Sequence, residues 1–475
     1  MNKIKRLILG LIAICIVIVV GLGINLKVVA NPKPPELNSN LSTPELNSTL
    51  PTIVNGCSTS DMACLIPFAW QTFLALNWPT DGQGKPLEHL WDNPDAPRQW
   101  EFYQRPEEVF SPAQQPLNSP LKLDGEILLL LSKGQRLSEN EPGLADSFLE
   151  PIGYPLIDQT HNYIIYDIRL NKSEANQIIT NHWYNIQCLE KIQDSLKFAA
   201  DNTSGYPLEI KTAWRILSYI NNSTDSGQEI DESTYYTVKR TVIIPKDKVY
   251  NPKSVLSENT PVDTPVKLKL GLIGFHIAYK VPIDGLRNKK PQWVWATFEH
   301  ISNSPSVPDN INLTQDQKYT LYDPLIGCLP GNCNTPIKTP YYFNVKQSPS
   351  AVDQDGKPQR PTQVVREENL SMTNFLDDKF QLATLFPELP ELKETVWKNY
   401  QMRGAISVQW QYQPIPNYLA NSAIETYVHE EDQSCLACHS NAKVTIEKNI
   451  DIHTDFSYLF KYNAQRWSNY HCPDS

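Results

Sequence analysis

Residues 267–282 read "KLKLGLIGFHIAYKVP", a sixteen-residue run bounded by a proline on either side, at Pro265 and Pro282. Apolar and polar residues alternate from Lys267 to Leu270, and β-branched and aromatic side chains dominate the rest, the signature of a strand rather than a helix. The alternation places Leu272, Gly274 and His276 on one face, so His276 is expected to point into the core or a pocket. Working outward, "GEILLLLSK" (125–133), "YIIYDIRL" (163–170), "YYTVKRTVII" (235–244) and "PQWVWATFEHI" (291–301) read as further strands between turn-formers. Two stretches read as helices. "CLIPFAWQTFLALNWP" (64–79) is a buried helix ended by Pro79, and "LEIKTAWRILSYI" (208–220) has helical apolar spacing. Strands and helices do not alternate in βαβ units, so the expected class is α+β: a large mixed-sheet body with helical segments, followed by a C-terminal helical attachment region.

The 475 residues include 38 prolines against 19 glycines, which limits long helices. Lys3, Lys5 and Arg6 precede an apolar run from Leu7 to Leu26, and Val28-Val29-Ala30 offers a small-residue cleavage site. Residues 1–30 thus read as an export signal, or as an N-terminal membrane anchor if the segment is retained. Residues 31–56 repeat Pro-Glu-Leu-Asn-Ser at 35–39 and 44–48 and read as a disordered Pro/Ser/Asn tether. The body spans 57–400 and the attachment region 401–475. Four of the 42 basic residues and none of the 52 acidic ones lie in residues 1–30, so the rest is more acidic still than the whole chain at −10. That charge excludes nucleic acid as an expected partner.

One motif names a chemistry. "SCLACHS" (434–440) holds Cys435-Leu-Ala-Cys438-His439, two thiols one helical turn apart with an imidazole immediately after. That spacing lets the thiols form thioethers with the two vinyl groups of a haem while the histidine reaches the iron. A zinc site would need a second ligand pair, and His453, His471 and Cys472 make no familiar knuckle. A redox Cys-x-x-Cys belongs near a βαβ unit, which is missing here. Ser422-Ala-Ile-Glu425 fits a capping box, which places a helix start ahead of the motif. Six further cysteines follow the signal, with Cys57–Cys64, Cys328–Cys333 and Cys188–Cys472 as the expected pairing and free buried thiols as the alternative for Cys188 and Cys472.

Several stretches together resemble a family of exported bacterial proteins named cytochrome c family or cytochrome c domain-containing: "CLIPFAWQTFLALNWP", "LEIKTAWRIL", "GLIGFHIAYK", "WVWATFEHISNSP", and "LANSAIETYVHEEDQSCLACHS" followed by "DFSYLF". The resemblance runs from about residue 57 to 467. It implies one covalent haem c on Cys435 and Cys438, His439 as proximal ligand, and a periplasmic or lumenal location. For the iron's other side the residues offer His276 first, then His300 and Met402, with His453 behind. The expected function is one-electron transfer with a redox partner protein. The alternatives are a haem enzyme with an open distal site, a peroxidase or small-substrate oxidase using His276 with Arg215 or Arg240, or a gas-ligand binding or sensing protein.

Overall fold

The computed structural model of the chain describes residues 46–57, 64–111, 154–192, 195–220, 230–251, 263–285, 290–307, 318–327, 333–336, 340–367, 382–407, 420–427, 435–447, 450–467, 470 and 472. The chain divides into two compact units, Met1–Glu36 and Leu37–Ser475. The first lies outside the described residues, as does the run "GEILLLLSK". Among the described residues no helix is long and apolar enough to cross a membrane.

The fold is α+β, built on one antiparallel sheet. Its elements are helix α1 (Leu65–Leu76), strand β1 (Ile165–Leu170), helix α2 (Lys172–Thr180), and strands β2 (Leu208–Tyr219), β3 (Thr237–Ile244), β4 (Thr264–Val281), β5 (Gln292–His300) and β6 (Tyr400–Ser407). After these come the short helix α3 (Cys435–Ser440), a hairpin of β7 (Lys443–Glu447) and β8 (Ile450–Thr454), and helix α4 (Leu459–Asn463). The sheet order is β1–β2–β4–β5–β6, with β3 also on β4. The quoted run is therefore the hub strand: β4 pairs with β2, with β3 and with β5. β8 carries a second, small sheet through its parallel pairing with Ser195–Leu196.

Two β-bulges decide which side chains face where. Between Ala213/Trp214 on β2 and Gly274/Leu272 on β4 the register skips Ile273, and between Ile216/Ser218 and Leu270/Lys269 it skips Leu217. A bulge adds one residue to one strand and reverses the alternation beyond it. Leu272 consequently joins Phe275, Ile277 and Tyr279 in the main core, while His276 goes to the opposite face, rather than sharing a face with Leu272 as simple alternation predicts. The same device explains "LEIKTAWRILSYI", which is strand β2 and not a helix. Its Trp214 and Ile216 pack in the main core, whereas Ala213 and Leu217 serve another cluster on the far side. Apolar residues on both faces plus a bulge imitate helical spacing.

One sheet face is closed by α1. Phe73 stacks on Phe298 at 4.2 Å and meets Phe275 and Trp397 edge-on at 5.3 and 5.5 Å, and Trp70 meets Phe298 at 4.9 Å. The helix ends on Asn77, whose side-chain amide donates to the Phe73 carbonyl and accepts from the Trp100 indole. Its start is stapled by the Cys57–Cys64 disulfide. The expected tether is ordered in its last part. Val54 is fully buried and bridges to Ile283, and Leu46 and Leu50 pack on the core. The other face carries Trp293, Trp295 and Ile406, covered by Leu436, Val444, Ile452, Leu459 and Phe460 from the C-terminal region. That region is a hairpin flanked by short helices. The Cys188–Cys472 disulfide ties the end of the chain to the body across 284 residues of sequence, and Cys333 is also disulfide-bonded while Cys328 lies outside the described residues.

Candidate haem-attachment site

α3 begins at Cys435 and carries the motif through His439; the Cys435 side chain lies outside the described residues. Cys438 is half-buried and is a free thiol. Burial, with the charge of Glu425, pushes that thiol above its ordinary value, so it is held protonated. The helix is anchored by the Tyr458 hydroxyl, which donates to the Cys438 carbonyl at 2.6 Å.

His439 is fixed in one tautomer. Its Nδ1 lies 2.7 Å from the Phe456 carbonyl; a carbonyl only accepts, so Nδ1 carries the proton and Nε2 presents a lone pair, the arrangement that orients an imidazole for a metal. Two non-glycine residues in the left-handed region, Asp455 at φ 51° and Phe456 at φ 71°, aim that carbonyl. A bulky residue there is strained. Asp455 is held by the Phe198 amide at 2.9 Å and by Lys280 Nζ at 2.6 Å. The His439 ring sits 5.5 Å from both Trp295 and Tyr458, ring centre to ring centre. Burial pushes its imidazole below the ordinary value, favouring the neutral form that ligates.

The turn Asn421–Tyr427 lies across the same sheet face. It contains no helix at Ser422–Glu425. Asn421, rather than Ser422, receives the Glu425 carboxylate on its backbone amide at 3.0 Å and caps the turn through Oδ1 to Ala423 N at 2.9 Å. Ser422 donates instead to Glu299, from its amide at 2.8 Å and its hydroxyl at 2.6 Å. Glu299 is fully buried; burial raises its carboxyl, but Arg366, Arg403 and the Ser422 donors outweigh that and hold it below its ordinary value. The turn rests directly on Gly274, where a Cβ would come within 3.1 Å of Ile424, and 3.2 Å of Ala213 and of the Asn421 side chain.

That close approach sets Glu425 over His276. His276 Nδ1 is 3.1 Å from Glu425 Oε1, while its Nε2 is buried without a hydrogen-bond partner. Burial raises the Glu425 carboxyl, but His276 and the Asn421 amide, with Lys211, bring it below its ordinary value. His276 lies close enough to His439 for its charge to be felt there. The remaining sequence-derived residues lie elsewhere. His300 is satisfied at both nitrogens, accepting from the Ser302 amide at Nδ1 (3.2 Å) and donating from Nε2 to the Thr234 carbonyl (3.0 Å). Met402 pairs with Phe298 on β5 and is buried in the main core. His453 is exposed on β8. Arg215 and Arg240 are ion-paired, to Asp158 at 3.4 Å and to Glu101.

No protein-family model, no curated protein and no solved structure matches the chain. Among the described residues no group of three or more His, Cys, Asp or Glu side chains is arranged to hold a metal ion, and Cys472, weighed as a zinc ligand, is spent in a disulfide. The donor set present fits a haem instead: a free protonated thiol at Cys438, an imidazole lone pair on His439, and an orphaned buried nitrogen on His276. Sequence reasoning missed Phe456, Tyr458, Trp295, Glu425 and Gly274. Only Glu425 carried a signal, its place in a supposed capping box; it does accept a backbone amide, that of Asn421 in place of Ser422, and it faces His276 besides.

Proposed function

We propose that the chain is an exported monohaem c-type cytochrome that carries one electron at a time. Cys435 and Cys438 hold haem c through thioethers, each thiol adding S–H across a vinyl double bond. His439 would supply the proximal imidazole nitrogen to the iron and His276 a second one. The observation that carries the reading is the pair of neighbouring imidazoles, each locked at Nδ1 and each with Nε2 left for a metal: His439 on the Phe456 carbonyl and His276 on Glu425 with its Nε2 orphaned and buried. A buried imidazole nitrogen without a partner is costly, by about 1–3 kcal/mol, unless something binds it.

When bound, the haem supplies the Fe(III)/Fe(II) couple. The chain's part would be to orient both imidazoles, to hold that of His439 neutral by burial, to keep water from the iron with Trp295, Phe456 and Tyr458, and to keep the site rigid between two charge states. Two imidazole ligands supplied by the chain would favour electron transfer over substrate turnover. The resemblance to exported cytochrome c proteins and the basic-then-apolar amino terminus support a periplasmic or lumenal setting, as a soluble or N-terminally anchored protein that meets a redox partner protein.

The test is the spectrum and mass of protein secreted with a haem-attachment system. Expected are a c-type pyridine haemochrome, the mass of one added haem, a low-spin ferric spectrum, and a Soret band that carbon monoxide does not move; His276→Ala turns the spectrum high-spin and lets carbon monoxide bind. A colourless product at the mass of bare polypeptide rejects the reading. A high-spin, carbon monoxide-binding wild type instead favours the enzyme or gas-ligand alternatives.

A further inference from the structure

One buried ion pair is surrounded by the parts of a condensation reaction. Lys280 on β4 places Nζ 2.6 Å from Oδ2 of Asp455, and the two side chains are 11% and 9% exposed. Phe198 holds both partners: its carbonyl accepts from Lys280 Nζ at 2.8 Å, and its amide donates to the same Asp455 oxygen at 2.9 Å. The amine therefore lies against the carboxyl group, and an N–H is aimed at the oxygen that takes up charge when an amine attacks. Lys280 stands opposite Trp293 of β5, whose ring is 6.2 Å from that of Phe198, so the pair sits beside apolar rings. A third group completes the set. Glu174 on α2 is fully buried, neither of its carboxyl oxygens has a hydrogen-bond partner, and the charges of Asp455 and Lys280 are both felt there. Burial, reinforced by Glu209 of β2, pushes its carboxyl well above the ordinary value, so it holds a proton at neutral pH.

We propose that Lys280 and Asp455 become joined by an isopeptide bond that the folded chain forms unaided, with Glu174 as the proton carrier. The inference goes beyond the haem reading and does not depend on it. The ammonium of Lys280 gives one proton to the Asp455 carboxylate, and the neutral amine adds to Cγ. Glu174 gives its proton to the departing hydroxyl and takes one from the nitrogen, so the C–O bond breaks and water leaves. The Nζ–Cγ amide keeps one hydrogen on nitrogen. Nothing is oxidised or reduced, and Glu174 ends as it began. Condensation replaces two buried ions, each costly to desolvate, by a neutral amide whose partners already stand in place, the Phe198 carbonyl for its N–H and the Phe198 amide for its oxygen. The bond would fasten β4 to the turn at Asp455 and Phe456, whose two left-handed residues aim a carbonyl at His439.

The test is a tryptic peptide map of the full-length protein, denatured and with its disulfides reduced. Expected are no cleavage after Lys280 and a branched peptide joining the segment around Lys280 to that around Asp455, one water lighter than the two together. Lys280→Arg and Asp455→Ala lose the branch. Glu174→Gln keeps the shape of the side chain but has no proton to give, and most of that chain should yield two separate peptides. The wild-type map decides the bond even where a variant fails to accumulate. Cleavage after Lys280 with linear peptides at full mass overturns the proposal, as does a one-water deficit confined to the Asp455 peptide, which is a succinimide. Complete branching in Glu174→Gln overturns the part given to Glu174.

Discussion

The two faces of the central sheet are built from the same strands to opposite specifications. The α1 face is mainly apolar, with Phe73 in ring contact with Phe275, Phe298 and Trp397, and its buried Arg98 lies over the Tyr236 and Trp397 rings. The opposite face carries His276, Trp293, Trp295 and, through the turn above it, Glu425, with three ring nitrogens unsatisfied. A protein tolerates such orphans where something else completes them. One face stabilises the fold and the other offers donor atoms, and the bulge at Ile273 keeps the core-facing series of β4 on one side, Leu268, Leu270 and Leu272 before it and Phe275, Ile277 and Tyr279 after it.

That contrast can be broken in order of effect. Phe73→Ala empties the centre of the closed face and should cost about 3–5 kcal/mol in denaturant unfolding, with no change in the spectrum of whatever folds; a spectral change of the His276→Ala kind would show that the faces are not independent. Next comes acid. His300, buried at the end of the closed face, is pushed down to about 4, chiefly by desolvation, so the unfolded chain binds a proton near pH 6.5 that the folded chain refuses. Stability is therefore whole above about pH 6.5 and falls by about 3 kcal/mol as pH drops toward about 4. Unfolding of His300→Gln followed across that window should show a flatter slope, and an unchanged slope would assign the acid sensitivity elsewhere.

Gly274→Ala sharpens the comparison from the other side. The added methyl meets Ile424 and Asn421 at 3.1–3.2 Å, so the turn must lift, at about 1–3 kcal/mol, and Glu425 lifts with it. The expected readout is partial high-spin character at room temperature, because His276 loses its brace; a spectrum identical to wild type would mean that Glu425 does not position the imidazole. The last effect is the most telling. In the haem-free chain His276→Ala removes one nitrogen that has no partner and one that faces Glu425 at 3.1 Å, and its stability should fall by about 1–3 kcal/mol through the carboxylate left unpaired, below a truncation of equal size on the α1 face. A large loss would make His276 a structural residue.

Much of this was legible in the residues. The α+β class, four of the sheet strands, α1 and the Cys435–His439 motif could be read off, because each rests on local periodicity or on a spacing fixed by chemistry. What escaped depends on partners far away in sequence. β2 looked helical since both its faces are buried and Leu217 is an extra residue, neither of which shows without the neighbouring strand. Ser422 looked like a helix cap since nothing local reveals that Glu299, more than a hundred residues earlier, claims its hydroxyl. His276 was singled out as a strand residue, but its alliance with Glu425 needed the turn to be laid over Gly274.

The hydrogen bond from His439 to the Phe456 carbonyl spans the β7–β8 hairpin, so the imidazole and the oxygen that tunes it sit at the two feet of one ribbon. Lengthening the ribbon at its tip leaves the feet where they are. Adding a single residue between Ala442 and Lys443 would instead turn β7 over, face for face, and pull the feet apart, so the electronic character of the imidazole is written in the residue count of a hairpin that carries none of its chemistry.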